Sequence, residues 1–237
     1  MDQFEMKLKN NTCLTVYRSV YAPVNSNMFV ILHDEEALVI DPNINEEIIK
    51  LFRTNKINKV NILLTHEHYD HTNGVLWFLE HFDCKLICNK VCADIVAIQR
   101  HNNPMLVAFV LAEKDKQDGG NRYAEFKNTF KPYTLKADII YETPCEFELM
   151  GMKFKGTQTP GHSPGSWCLL VDDTFVITGD TLIKDTPVVI RFVESREHDY
   201  KTIALPYLKG MDPELMVLPG HFDPFVLKDN NILDTYV

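Results

Sequence analysis

Thr65-His66-Glu67-His68-Tyr69-Asp70-His71 constrains this chain more than any other stretch. It follows directly on Val60-Asn61-Ile62-Leu63-Leu64, a short apolar run whose length and branched side chains predict a buried strand. Three imidazoles and a carboxylate thus fall within six residues, where a strand gives way to a loop. Imidazole and carboxylate are the ligand set of zinc and related first-row metals. At a strand end, His66 and His68 can face one point while Asp70 and His71 turn toward a second, so one segment can serve two metals. Ordinary surface histidines are the competing reading, since the chain has nine.

Three later segments decide between them. Thr159-Pro160-Gly161-His162-Ser163-Pro164-Gly165-Ser166 sets a histidine in a Gly/Pro turn. Thr178-Gly179-Asp180-Thr181 sets an aspartate at the end of the apolar run Phe175-Val176-Ile177, and Leu218-Pro219-Gly220-His221 repeats the pattern. Each supplies one ligand type just past a predicted strand.

With these segments in place the chain resembles the metallo-β-lactamase superfamily, in which His-x-His-x-Asp-His is followed in order by His, Asp and His. It is most similar to the glyoxalase II-like branch, whose TPGHT-x-GS and GD(T/S)L segments are echoed by residues 159–166 and 179–182. The resemblance runs from the strand pair near residue 28 to His221. It implies an α/β fold, the αβ/βα four-layer sandwich, in a single domain over residues 1–237. It also implies that His66, His68 and His162 hold one metal, that Asp70, His71 and His221 hold a second, and that Asp180 bridges them. Two zinc ions are the expected cofactor, with iron or manganese as alternatives. Flavodiiron relatives carry Glu where this chain has His68, which argues against a redox di-iron centre. In relatives an aspartate placed like Asp41 supports the metal loop by taking the free N–H of a ligating imidazole; a turn or cap before the next helix is the alternative.

A length of 237 residues with 45% hydrophobic and 24% charged residues suits one sizeable domain. The formal net charge of -9 lacks the basic footprint of a nucleic-acid binder, so a small-molecule substrate is expected. The first residues, Met1-Asp2-Gln3-Phe4-Glu5, lack the basic and apolar regions of a leader, and no window reaches the length of a membrane span. No membrane association and a cytoplasmic location follow as expectations. Six cysteines without a C-x-x-C pair read as free thiols, and Cys84, Cys88 and Cys92 are expected to diverge because the segment 84–88 reads as a strand.

Strands are expected over 4–8 and 12–17 around the turn Lys9-Asn10-Asn11, then over 27–33, 37–40 and 85–88. Helices are expected over 45–54 and after Asn73-Gly74, with Trp77 as a packing residue. Residues 91–136 read as a helical insertion, with helices near 92–100, 104–113 and 122–130 and a polar turn over 114–121. Its apolar patch, Met105, Leu106, Val107, Phe109, Val110 and Leu111, is open to three readings: a substrate wall, a homodimer contact or internal packing. His101 reads as surface. Strands follow over 138–141, 145–149, 152–157, 165–171, 174–178 and 216–218, with a helix over 197–209. In the loop 183–196, Arg191 and Arg196 are candidates for a substrate carboxylate, against a surface ion-pair reading.

Two ions at this site would bring the pKa of a water toward neutrality and remove the need for a strong protein base. Asp70 can ligate and also orient or receive a proton; Ser163 and Ser166 read as structural residues of the His162 turn. The bond cleaved is expected to be a thioester, a lactone or another activated ester. Glyoxalase II itself carries a C-terminal helical domain for glutathione, and this chain ends soon after His221, so glutathione thioesters are not the expected substrate. Lactonase relatives use a tyrosine near the metals, and Tyr69, Tyr123, Tyr133 and Tyr207 are available. A phosphodiesterase acting on RNA or a cyclic nucleotide, or a ligand-sensing member without catalysis, are the alternatives.

Overall fold

The computed structural model describes residues 1–9, 11–102, 104–191 and 194–236, without the side chains of His101 and Leu106. Asn10 of the first hairpin turn, the surface reading of His101, Leu106 of the apolar patch, and Phe192 and Val193 of the loop 183–196 lie outside the described residues.

The first sheet runs in chain order through seven strands: β1 (Asp2–Lys7), β2 (Cys13–Tyr21), β3 (Ser26–His33), β4 (Glu36–Ile40), β5 (Lys59–Leu63), β6 (Cys84–Asn89) and β7 (Ile139–Tyr141). The first four pair antiparallel as hairpins, and β4 to β7 pair parallel through helical crossovers. The second sheet has the order β13 (Phe225–Val226), β12 (Met216–Pro219), β11 (Phe175–Gly179), β10 (Trp167–Val171), β9 (Met152–Gln158) and β8 (Cys145–Leu149).

Side-chain alternation shows why the strands read as unbroken apolar runs. In β3 and β4, Phe29, Ile31, Leu38 and Ile40 join Phe154, Trp167, Leu169, Phe175, Ile177 and Leu218 between the two sheets. Their neighbours Met28, Val30, Ala37 and Val39 point the other way, onto α1 (Glu47–Thr54), α3 (Val75–His81) and α4 (Lys90–Val96). On the far side, Cys168, Val176 and Val217 meet the helical run formed by α7 (Glu197–Asp199), a π turn (Tyr200–Ala204) and α8 (Leu205–Lys209). Strands covered on both faces carry apolar residues at every position, and the layers are helix, sheet, sheet, helix. At the β8 and β9 end of the second sheet, inward apolar side chains alternate with the exposed Glu146, Glu148, Lys153 and Lys155.

The helices of residues 91–136 depart from the expected bounds. α5 (Met105–Asp118) runs on through the expected polar turn, because Arg122 at the start of α6 (Arg122–Thr129) reaches back to Asp115 at 3.0 Å and Asp118 at 2.7 Å. Gly119, at φ +75°, ends the helix in the left-handed conformation that glycine adopts without strain. On α5, Val107 and Leu111 are buried, whereas Met105 and Phe109 are 66% and 62% exposed. The expected divergence of the cysteines holds for Cys84 alone. Asn89 ends β6 and caps α4 through the Cys92 N–H at 2.9 Å, and this tight turn brings the buried thiols of Cys88 and Cys92 together. All six cysteines are free. Trp77 packs, stacked on His81 at 4.5 Å.

Candidate metal centre

The parallel pairing of β4 with β5 aligns Ile40 with Leu63 and so sets Asp41 beside Thr65. Asp41 takes a φ of +51° there, and both carboxylate oxygens are engaged: Oδ1 accepts the Thr65 N–H at 2.7 Å, and Oδ2 accepts the Thr65 hydroxyl at 2.6 Å and His71 Nδ1 at 3.0 Å. The support reading of Asp41 therefore holds over the cap reading. Because the Thr65 hydroxyl gives its proton to Asp41, it accepts from His66 Nδ1 at 3.0 Å and leaves His66 Nε2 as the lone-pair nitrogen. One helical turn, α2 (Tyr69–Thr72), then carries Asp70 and His71 inward.

The second sheet delivers the remaining groups. β11 and β12 pair parallel, with Gly179 opposite Pro219, so Asp180 and His221 leave the sheet at the same edge. Gly220 is required between them, since a side chain there would collide with Oδ1 of Asp180 and the His71 ring. His162 enters from the turn between β9 and β10. Its Nδ1 donates to the Val189 carbonyl at 2.9 Å, and His221 Nδ1 donates to the Val24 carbonyl at 3.0 Å.

All seven predicted side chains meet. Potential ligand atoms of His66, His68 and His162 lie within 4.8 Å of one another, as do those of Asp70, His71 and His221. Asp180 stands between the groups, 3.4 Å from His162 Nε2 and from His71 Nε2 and 3.2 Å from His221 Nε2. Asp41, His66 and His71 also approach closely, but the bonds of Asp41 to Thr65 and His71 make it their support. Four buried atoms in the cluster have no hydrogen-bond partner: His66 Nε2, His71 Nε2, Asp70 Oδ2 and Asp180 Oδ1. Burial of such groups without compensation is unfavourable, and their convergence in an imidazole and carboxylate set fits divalent metal.

The electrostatics split the cluster. Burial holds the pKa of His66 well below its ordinary value, with the neighbouring imidazoles adding to the effect, and lowers His68 to about 3. Burial likewise lowers His162. Burial opposes charge on His71 and His221 too, but there the carboxylates outweigh it. Asp70, Asp180 and Asp41 raise His71 well above the usual range, and Asp180 with Asp70 raises His221 to about 10. Asp70 and Asp180 are held well below the carboxylate range: burial works against them, and His71 and His221 prevail.

Glu67, between His66 and His68, was not among the candidate ligands. It is buried, and its carboxyl crosses to the His162 turn, accepting from Ser163 Oγ at 3.1 Å and the Gly165 N–H at 3.3 Å. Burial pushes its pKa to about 7. Ser163 and Ser166, 2.8 Å apart, belong to this latch. Of the tyrosines, Tyr69 lies beside Asp70 with Tyr133 and Tyr21, its ring packed edge-on against Phe126 and Phe130. Tyr21 was not among the candidates. Tyr207 lines a cleft by Lys9 and Leu215, and Tyr123 is 40% exposed. Arg196 lines a cleft of about 550 Å³ along the His162 turn, with Val91, Gln158, Gly161, Pro164 and Ile203. Arg191 is exposed and outside that lining.

Residues 21–221 match the metallo-beta-lactamase superfamily, and the chain belongs to it. It is 26% identical over 211 residues to a probable metallo-hydrolase of Streptococcus pyogenes serotype M6, covering 88% of this chain and 81% of that protein. It is 38% identical over 149 residues to the hydroxyacylglutathione hydrolase of Hydrogenovibrio crunogenus, covering 63% of this chain and 41% of that one. The chain spans about half the length of the hydroxyacylglutathione hydrolases it matches. Among solved structures, the B3 metallo-beta-lactamase BLEG-1 superposes with a TM-score of 0.69 at 20% identity, over 92% of this chain and 99% of that one. TTHA1623 in a di-iron-bound form superposes at 0.66 and 21% identity, over 90% and 96%. The four-layer architecture expected from sequence is thus the fold of the protein, a hydrolase of a superfamily that binds divalent metals through His/Asp sites. Among the described residues, no helix is long and apolar enough to cross a membrane.

Proposed function

We propose that this chain is a two-metal hydrolase of small activated acyl substrates, a thioester first, with a lactone or another activated ester as the alternatives. The observation that carries the reading is the convergence of the unpartnered His66 Nε2, His71 Nε2, Asp70 Oδ2 and Asp180 Oδ1 inside two three-ligand groups. His66, His68 and His162 would hold one ion, Asp70, His71 and His221 the other, with Asp180 shared. Zinc suits this nitrogen-rich set, and the di-iron form of TTHA1623 makes iron the alternative. Such a pair, when bound, supplies Lewis acidity and a lowered water pKa.

The chain's own groups do the rest. Fixed Nδ1 bonds aim Nε2 of His66, His71, His162 and His221 inward. Asp70, with Oδ2 facing the cluster, is placed to accept a hydrogen bond and orient a reacting group. His68 and His221 are only partly enclosed and leave the cluster open on one side. The cleft of about 550 Å³ on the His162 turn has the size of a small-molecule site, and Arg196 lines it together with Glu194 and Asp199. The net charge of -9 weighs against a polynucleotide. Thioesters are placed first because hydroxyacylglutathione hydrolases are among the relatives.

Metal quantification with a panel of thioesters, lactones, esters and bis-para-nitrophenyl phosphate tests this. The expected result is two ions per chain and acyl hydrolysis, with Asp180→Asn lowering turnover about a thousandfold while the circular dichroism is retained. Cleavage of the phosphodiester alone would move the reading to a phosphodiesterase. Protein that takes up no metal, or Asp180→Asn at full activity, would overturn it.

A further inference from the structure

We infer that Lys114, on α5, is a positioning residue for the Asp70, His71 and His221 half of the centre, acting through the turn between β2 and β3. The inference rests on the two-metal reading above.

The cations around Lys114 pair with acids: Lys116 with Glu113 at 2.5 Å, and Arg122 with Asp115 and Asp118. Lys114 forms no ion pair among the described residues. It lies across the β2–β3 turn instead, where its ammonium donates to the carbonyls of Pro23 at 3.0 Å and Ala22 at 3.4 Å. The next carbonyl along, that of Val24, accepts His221 Nδ1 at 3.0 Å. Three consecutive carbonyls thus join α5 to an imidazole within the site.

The same turn continues into the other ligand loop. Ser26 pairs with His221 as an isolated bridge, and its hydroxyl donates to the Asp70 carbonyl at 3.0 Å. Asn27, at the start of β3, clamps the far end of the turn to the carbonyls of Gly220, Pro219 and Phe222, whereas within the turn Pro23 offers no N–H and closure depends on Val24 and Asn25 donating to the Tyr21 carbonyl at 3.3 and 2.9 Å. Lys114 is the side chain that bonds its outward carbonyls. Moving the turn would shift the Val24 oxygen, and with it the direction of His221 Nε2, which stands 3.2 Å from Asp180 and 3.4 Å from Asp70. His66 and His162 are oriented elsewhere, by Thr65 and by Val189. Loss of Lys114 should therefore be felt by one ion and not by the other.

Metal-free wild type, Lys114→Met and Lys114→Arg are titrated with zinc against a chelating indicator, with ions counted by native mass spectrometry and amide exchange followed over residues 22–27. The expected result for Lys114→Met is one ion held as in wild type and the second weakened about tenfold or more, the scale of lost outer support, with faster exchange in the turn. Lys114→Arg should keep both. Two ions at wild-type affinity in Lys114→Met would overturn the inference. Fewer than two ions in wild type would instead overturn the two-metal reading, and this inference with it. If the methionine variant does not fold, Lys114→Gln takes its place under the same expectations.

Discussion

His71 leans on the Asp41 carboxylate and His66 on the Thr65 hydroxyl, side chains buried against the first sheet, whereas His162 and His221 lean on the carbonyls of Val189 and Val24 in connecting segments. Four of the seven converging side chains come from one loop after β5, and the other three from separate points along the second sheet. A cluster supported by side chains carries its support in the sequence and can lose it by substitution. A cluster supported by main-chain carbonyls keeps its donors whatever the side chain, and depends on what holds those segments in place.

Protons expose a second difference, which cuts across the first. In the metal-free protein His71 and His221 are raised while His66, His68 and His162 are lowered. At neutral pH the Asp70, His71 and His221 group therefore carries protons that an ion must displace, and the other group carries none. Affinity for the ion of the protonated group should rise with pH, by up to about a hundredfold per unit if both imidazoles release a proton. Affinity for the other ion should stay flat near neutrality. Calorimetric zinc titrations in buffers of differing ionisation heat read the proton release directly, and equal release for both ions would remove the distinction.

Asp41→Ala attacks the side-chain support. It leaves His71 Nδ1 and the Thr65 N–H without their acceptor and should weaken metal binding about ten- to a hundredfold. Asp41→Asn, which tolerates the left-handed φ of +51°, keeps an acceptor and should lose less. Equal losses in the two variants would mean that His71 needs the charge of the carboxylate, and that an acceptor on a tolerated backbone does not replace it.

The same division explains what was legible in the sequence. Each of the seven side chains that converge is a distinctive one just past an apolar run, so the cluster could be read, and Asp41 could be read as one of two things. The layers were legible because strands covered on both faces must be apolar throughout, as β3 and β4 are. Val24 and Val189 were not, because a carbonyl oxygen looks the same in every residue. The true end of α5 was hidden because Arg122 and Asp115 meet only once the chain has turned. The short strand β13 and the π turn at Tyr200–Ala204 have no period to read. Glu67 was passed over because its partners, Ser163 and Gly165, lie nearly a hundred positions away.

Glu67 is also where the two regions are tied, since it sits between His66 and His68 and bonds to the turn of His162. Its carboxyl has a pKa of about 7, raised by burial above the ordinary value of 4.5, so the folded state prefers the proton more than the unfolded chain does. Ionisation therefore removes stability as pH rises from about 4.5 to 7, the reverse of a salt-bridged carboxylate. Glu67→Gln supplies a permanently neutral side chain whose oxygen can still accept the Gly165 N–H and whose amide nitrogen can donate to Ser163 Oγ. It should match wild type near pH 5 and exceed its stability near pH 8 by about 1–3 kcal/mol, with metal content unchanged. Glu67→Ala, which leaves both donors unpaired, should be less stable at either pH. Thermal unfolding of the three proteins at the two pH values decides the matter: a Gln variant that parallels wild type throughout would mean that Glu67 does not titrate in this range, and that the bond across the site is made by a carboxylate at every pH.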